Sequence, residues 1–262
     1  MFFIFFIISL VSCAVGAVCG IGGGIIIRPV LDAFGFFSVA QVSFLSGCTV
    51  LSMAVYSTCH AIIKHESDVD FKISTPLAIG SVIGGVMGKL DFVWLEHTFK
   101  SNGTIGAIQS ACLFLLAVST LIYTFKKGSI VTKQYKNFVI CLIAGLFLGM
   151  ISTFLGIGGG PINLIVLQWM FSMQTKKAAQ NSIYIILFSQ AASLIQTLIS
   201  GTIPMVNLFL LAGMIICGIS GGIIGRLLSR RLNNERVDKL FAFLTVVIML
   251  ISIYNTYRYL NG

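Results

Sequence analysis

Gly20-Ile21-Gly22-Gly23-Gly24 recurs without change as Gly156-Ile157-Gly158-Gly159-Gly160, 136 residues further along the chain. Two more motifs recur in the same order. Ala40-Gln41-Val42-Ser43 corresponds to Ala179-Gln180-Asn181-Ser182, and Gly84-Gly85-Val86-Met87-Gly88 corresponds to Gly221-Gly222-Ile223-Ile224-Gly225. A constant order with a nearly constant offset indicates a duplication. We therefore predict a first repeat at 1–125, a basic linker at 126–135 and a second repeat at 136–262.

The composition predicts that both repeats lie in a membrane. Of the 262 residues, 57% are hydrophobic and only 10% are charged, whereas a soluble domain carries about 25% charged residues. Several apolar stretches approach or exceed the ~20 residues that cross a bilayer as a helix. The expected class is therefore an all-α integral membrane protein, a polytopic helical bundle surrounded by lipid. The candidate segments include 38–63, 73–88, 103–125, 178–200, 205–225 and 237–257.

The apolar N-terminal segment resembles a signal peptide, and Leu10-Val11-Ser12-Cys13 resembles a lipoprotein cleavage box. A signal peptide has a positively charged start, but no Lys or Arg precedes Arg28. The segment and its glycines also recur at 137–160. We therefore expect residues 1–20 to remain in the mature protein.

Basic residues favour one of two topologies. If 1–36 and 137–172 are single crossings, the repeats are parallel and the basic residues at the loops, all except Arg28, divide nine to seven between the two sides. If each glycine cluster is the tip of a re-entrant hairpin, each repeat has three full crossings and the repeats are inverted. The basic residues then divide thirteen to three, which obeys the positive-inside rule. We therefore predict inverted repeats in the cell membrane, with both termini outside and the linker 126–136 inside.

The glycine clusters predict a binding site. A helix that breaks inside a bilayer survives only where its backbone is buried in protein or lines a watery cavity. Glycine permits the turn and lets a ligand approach the backbone. The half-helix after each cluster directs its positive dipole end at the break. Two such breaks near the midplane are typical of a secondary-transporter site, and their polarity suits an anion.

The chain resembles the TauE/SafE family of sulfite exporters and related anion permeases. The resemblance rests on GIGGG at 20–24 and GIGGGPIN at 156–163 within a duplicated membrane protein of this size. It implies ATP-independent transport of small sulfur-containing or organic anions, such as sulfite, sulfonates or thiosulfate. One difference concerns the prolines. Pro29 follows the first cluster by five residues, whereas Pro161 follows the second directly, so the two breaks need not be equivalent.

Candidate substrate-binding residues lie at and after the clusters. Arg28 is the charged residue nearest to either cluster, and it either contacts substrate or pairs with Asp32, one helical turn later. Asn163 either donates to an oxyanion or caps its half-helix. The remaining polar candidates either line the site or join helices together. The full set is Gly22, Gly23, Gly24, Arg28, Gln41, Ser43, Gly158, Gly159, Gly160, Asn163, Gln180, Asn181 and Ser182, with Ser46, Ser189 and Gln190 as weaker candidates.

Other residues are given structural interpretations. The glycines at 84–88 and 221–225 predict close helix packing. His60 and His65 could relay protons, but a histidine near a membrane interface is more often structural. Glu66, Asp68 and Asp70 are interpreted as part of a solvated loop.

Other function classes are disfavoured. The chain has no HExxH motif and no GxxxxGK[ST] loop, and its seven cysteines lack metal-ligand spacing. We therefore expect no enzyme, no metal, no cofactor and no nucleic-acid partner. The expected partners are a small anion, lipid and, as one coupling option, a proton. An anion channel, a transporter of a non-sulfur solute and a non-transporting subunit remain alternatives, and the oligomeric state stays open.

Overall fold

Each glycine cluster ends one helix and precedes the next. The computed structural model describes residues 2–99, 102–157 and 159–261. Helices α1 (Phe2–Cys19) and α2 (Gly24–Phe34) flank the first cluster, and α6 (Phe138–Phe154) and α7 (Gly160–Phe171) flank the second. Gly20 and its repeat equivalent Gly156 both have positive φ, at 75° and 61°. Glycine adopts this conformation at little steric cost, which explains why a glycine follows the end of each helix within two residues.

The chain reverses direction at each cluster. The rings of Phe5 in α1 and Phe34 in α2 are 5.5 Å apart, so the start of α1 lies beside the end of α2. At the second cluster, the N–H of Lys133, five residues before α6, donates to the Trp169 carbonyl at 2.8 Å, so the approach to α6 meets the end of α7. Each pair of helices therefore forms an antiparallel hairpin.

Long helices make up the rest of the described chain, which contains no strand. Within the part of the chain that the structure describes, seven helices are long and apolar enough to cross a membrane: α1 and the six long ones. α6 and α7 are apolar but shorter. The prediction of an all-helical fold is confirmed. The long helices are α3 (Val39–Ile63), α4 (Phe71–Phe99), α5 (Asn102–Lys126), α8 (Thr175–Ile199), α9 (Leu208–Arg231) and α10 (Asn234–Asn261).

Polar contacts gather the loops at two ends of the bundle. At one end, Arg226 pairs with Glu66 at 2.8 Å and Lys127 pairs with Asp238. We call it the linker end, and it holds the loops at 64–70, 127–137, 172–174 and 232–233. At the other end, the Gln41 side chain donates to the Met205 carbonyl at 2.6 Å. We call it the terminal end, and it holds the loops at 35–38 and 200–207.

Helices of residues 1–125 interleave with helices of residues 136–262. α4 packs along α6, and α9 packs along α1. A Cβ on Gly84 would overlap the Leu146 carbonyl oxygen, and one on Gly225 would overlap that of Ala14. The predicted close packing at these glycines is confirmed, and it joins each hairpin to the opposite repeat.

Candidate substrate site at the two glycine clusters

The two hairpin tips touch each other inside the bundle. A Cβ on Gly24 would lie 2.6 Å from the Ile157 carbonyl oxygen, and one on Gly160 would lie 3.2 Å from the Ile25 side chain. α2 and α7 begin at these glycines, and neither start has a side-chain cap. Two helix N-termini, which carry partial positive charge, therefore lie at one interior place.

Buried polar atoms surround the tips. Ser46 lies against Gly24, and the Asn163 amide lies against Gly159. Gln190 and Thr153 line a small cavity beside Gly156. Among the described residues, no partner exists for Ser46 Oγ, Thr153 Oγ1, Asn163 Oδ1 or Gln190 Nε2. Unpaired buried polar atoms are costly, so this cluster is suited to a polar ligand.

Arg28 reaches the second tip but is held by the protein. Its side chain is 3% exposed and lies 3.7 Å from Asp32, so the predicted pairing is present. Its two Nη groups donate to the Leu155 carbonyl and to Gln109. Because Leu155 follows the C-terminus of α6, the guanidinium caps the negative end of that helix. Arg28 thus fastens the first hairpin to the second.

Three predicted residues form contacts that fix loops. The Gln41 side chain accepts from the Ser38 N–H at 2.9 Å and completes a capping box at α3. Gln180 accepts from the Asp68 N–H at 2.9 Å. Asn181 accepts from the Asp70 N–H at 2.8 Å and is fully buried. All three therefore satisfy loop backbone groups at the ends of helices.

The remaining predicted residues lie at the tips, beside them or on α8. Ser43 lies against Gly156. Ser182 is buried, and its Oγ has no partner within the described part of the chain. Gly22 and Gly159 both contact Ile186, whose side chain separates the tips on the α8 side. Gly23 packs on Cys13 of α1. Gly158 lies outside the described residues.

Two cavities approach the tips from opposite ends. The linker-end cavity has a volume of about 350 Å³ and reaches Ala17, three residues before the first cluster. The terminal-end cavity has only about 20 Å³ and reaches Gly156 of the second cluster. Among the described cavities that reach a tip, only the linker-end cavity is therefore wide.

Sequence reasoning missed several residues that line these cavities. Thr153 lines the terminal-end cavity, and Glu66, Arg226 and Arg230 line the linker-end cavity. Glu66 is paired with both arginines and is not simply part of a solvated loop. The repeat could have revealed Arg226, because it follows Gly225 as Lys89 follows Gly88.

His60 and His65 lie away from the tips. The His60 ring is 5.5 Å from that of Tyr56, and it lines a groove at the linker end between α3 and α9. His65 belongs to the adjacent turn, where its φ is 53°. Neither histidine contacts a glycine cluster, so their positions give no support to a proton relay at the tips.

The architecture defines a class of protein. Apolar helices, breaks that meet inside the bundle and cavities from both ends are the features of a multi-pass membrane transporter. The model of the "Sulfite exporter TauE/SafE" family matches residues 4–252. The chain belongs to this family, which is one of membrane transporters and not of enzymes.

Relatives agree with this assignment. "Probable membrane transporter protein YunE" of Bacillus subtilis is 26% identical over 94% of this chain and 95% of its own length. "Probable membrane transporter protein MJ0441" of Methanocaldococcus jannaschii is 25% identical over 75% of this chain and 72% of its own. No solved structure matches the chain significantly. The relatives' names specify transport but no substrate.

Proposed function

We propose that the protein is a secondary transporter of small sulfur-containing or organic anions, such as sulfite, a sulfonate or thiosulfate. The observation that carries the proposal is the meeting of the two hairpin tips. Two uncapped helix N-termini lie there, together with the Nε2 donor of Gln190, which has no partner among the described residues. The Asp32 carboxylate is paired with Arg28. Partial positive charge and hydrogen-bond donors favour an anion.

The proposed topology has inverted repeats with re-entrant hairpins. Its support is the grouping of loops at the linker end. Glu66 contacts Arg226, and Lys127 contacts Asp238. In the parallel topology these partners would face opposite sides of the membrane and could not meet. The inverted topology places all four residues on one side.

Alternating access is the proposed mechanism. The wide linker-end cavity and the narrow terminal-end cavity approach the tips from opposite sides. The described conformation then corresponds to a site open toward the linker end. Opening the terminal end while closing the linker end would move the anion across.

Flux into proteoliposomes tests the proposal. The purified protein is reconstituted, and uptake of sulfite, thiosulfate, sulfoacetate and sulfate is measured against protein-free liposomes. We expect saturable uptake of at least one anion. Asn163→Ala removes the Nδ2 donor that lies against Gly159. It should reduce uptake about tenfold or more, since a hydrogen bond to a charged group contributes about 1.5–3 kcal/mol and 1.4 kcal/mol is a factor of ten.

The other outcomes separate the alternatives. Uptake that rises linearly with concentration and shows no counter-transport would favour an anion channel. Saturable transport of an uncharged solute, with no anion transported, would retain the carrier mechanism and reject the anion. Unchanged uptake in Asn163→Ala would move the site away from the second tip.

A further inference from the structure

The linker-end cavity contains two arginines that converge on one carboxylate oxygen. Arg226 and Arg230 both donate to Glu66 Oε2, the former at 2.8 Å. Arg226 also donates to the Ser57 carbonyl at 3.1 Å, and its Nε has no partner among the residues the structure describes. A pair of guanidinium groups with a spare buried donor fits an oxyanion better than it fits a single carboxylate oxygen.

The surroundings match a small oxyanion. Hydroxyl groups of Ser57, Thr58 and Ser229 line the same cavity, together with the Lys176 side chain. The acidic residues that line it are Glu66 and Asp68. The cavity continues from these charges to Ala17, beside the first hairpin tip. An anion bound to the arginines would therefore stand on the route between the linker end and the tips.

We propose that Arg226 and Arg230 form an oxyanion-binding site at the linker end, and that the Glu66 carboxylate occupies this site until an anion displaces it. The inference rests on the proposed transport of anions, because it assigns the step at which the substrate enters or leaves. Its ligand class is a small sulfonate, sulfite or similar oxyanion.

Glu66 is well suited to reversible displacement. It belongs to a loop, and its side chain is 42% exposed. Exposed ion pairs contribute little net stability, so an anion at modest concentration can replace the carboxylate. The Glu66 pKa lies below its usual value of 4.5, chiefly because Arg226 donates a hydrogen bond to the carboxylate. The carboxylate therefore stays charged near neutral pH.

The duplication places a basic residue at the same position of the other repeat. Lys89 follows Gly88 as Arg226 follows Gly225. Lys89 lines the terminal-end cavity, whereas Arg226 lines the linker-end cavity. The same repeat position therefore supplies a cation to each of the two routes toward the tips.

Direct binding tests this inference separately from flux. Sulfite, thiosulfate and sulfoacetate are each titrated by calorimetry into the full-length protein in nanodiscs, in a buffer low in chloride. Arg230→Gln should weaken binding about tenfold. Glu66→Gln should tighten it about tenfold if the carboxylate fills the site nine-tenths of the time, because the apparent Kd scales inversely with the free fraction.

Matched variants at the same end serve as controls. Glu235→Gln removes a carboxylate that pairs with Lys239 outside the cavity, and Arg231→Gln removes the neighbouring cation. Both should bind as the wild type does. Flux of an anion with unchanged affinity in Glu66→Gln and Arg230→Gln would overturn the site and leave the transport proposal standing. The expected affinity changes without any flux would support the site and reject transport, and the absence of both binding and flux would reject both.

Discussion

Gln190 is the residue whose substitution tests the candidate site most sharply. Its Nε2 is buried and has no partner in the described part of the chain, and it faces the cavity beside Gly156. Gln190→Glu keeps the shape but replaces a donor with a negative charge. We expect anion uptake to fall by roughly one to two orders of magnitude, since hydrogen bonds to charged groups contribute about 1.5–3 kcal/mol. Initial rates in proteoliposomes measure the loss.

The same helix offers the control for this substitution. Gln196 is partly buried, and its side chain donates to Ser200 at 3.2 Å. Gln196→Glu adds the same charge to α8 away from the tips and should leave uptake unchanged. Equal losses in both variants would mean that the charge acts through the field of the whole helix and not at the site.

Sequence could predict the residue types at the site but not their partners. Arg28 is evident as a charged residue beside a glycine cluster, and pairing with Asp32 follows from helical spacing. Gln109 and Leu155, which also bind its guanidinium, are 81 and 127 residues away. Thr153 was missed because a threonine in an apolar helix resembles a packing residue until its neighbours are known.

The helices themselves were largely predictable. The apolar stretch at 38–63 nearly coincides with α3. The helix begins after a capping box at Ser38 and stops at a polar loop, so the helix and the apolar stretch share both boundaries. α4 continues 11 residues beyond the predicted 88. Lys89 and Asp91 interrupt the apolar stretch but not the helix. Hydropathy therefore locates the apolar part of a helix and not its polar extension.

Packing between α4 and α6 should tolerate no side chain at Gly84. Gly84→Ala places a Cβ onto the Leu146 carbonyl oxygen, and overpacking of this kind costs about 1–3 kcal/mol. We expect a lower midpoint of thermal unfolding in detergent. Gly128→Ala is the control, since a Cβ there would meet nothing within 4 Å. An unchanged midpoint in Gly84→Ala would mean that α6 can shift away from α4.

At the scale of the molecule, the distribution of basic residues predicts how the protein is oriented in the membrane. The linker end holds most basic residues, so it should face the cytoplasm and both termini should lie outside. Alkaline phosphatase fused after Gly262 should be active in a bacterial host. Green fluorescent protein at the same place should be dark. The reverse pattern would invert the orientation and make the described conformation open to the exterior.

The interleaving of the repeats has a consequence for biosynthesis. α6 emerges from the ribosome after its packing partner α4, and can dock as soon as it enters the bilayer. α1 emerges first, but α9 begins about 190 residues after α1 ends. At about 5–20 residues per second, the first hairpin waits on the order of ten seconds or longer with lipid against the face that α9 later covers. We therefore expect the packing of the first hairpin to be completed only after α9 has been inserted.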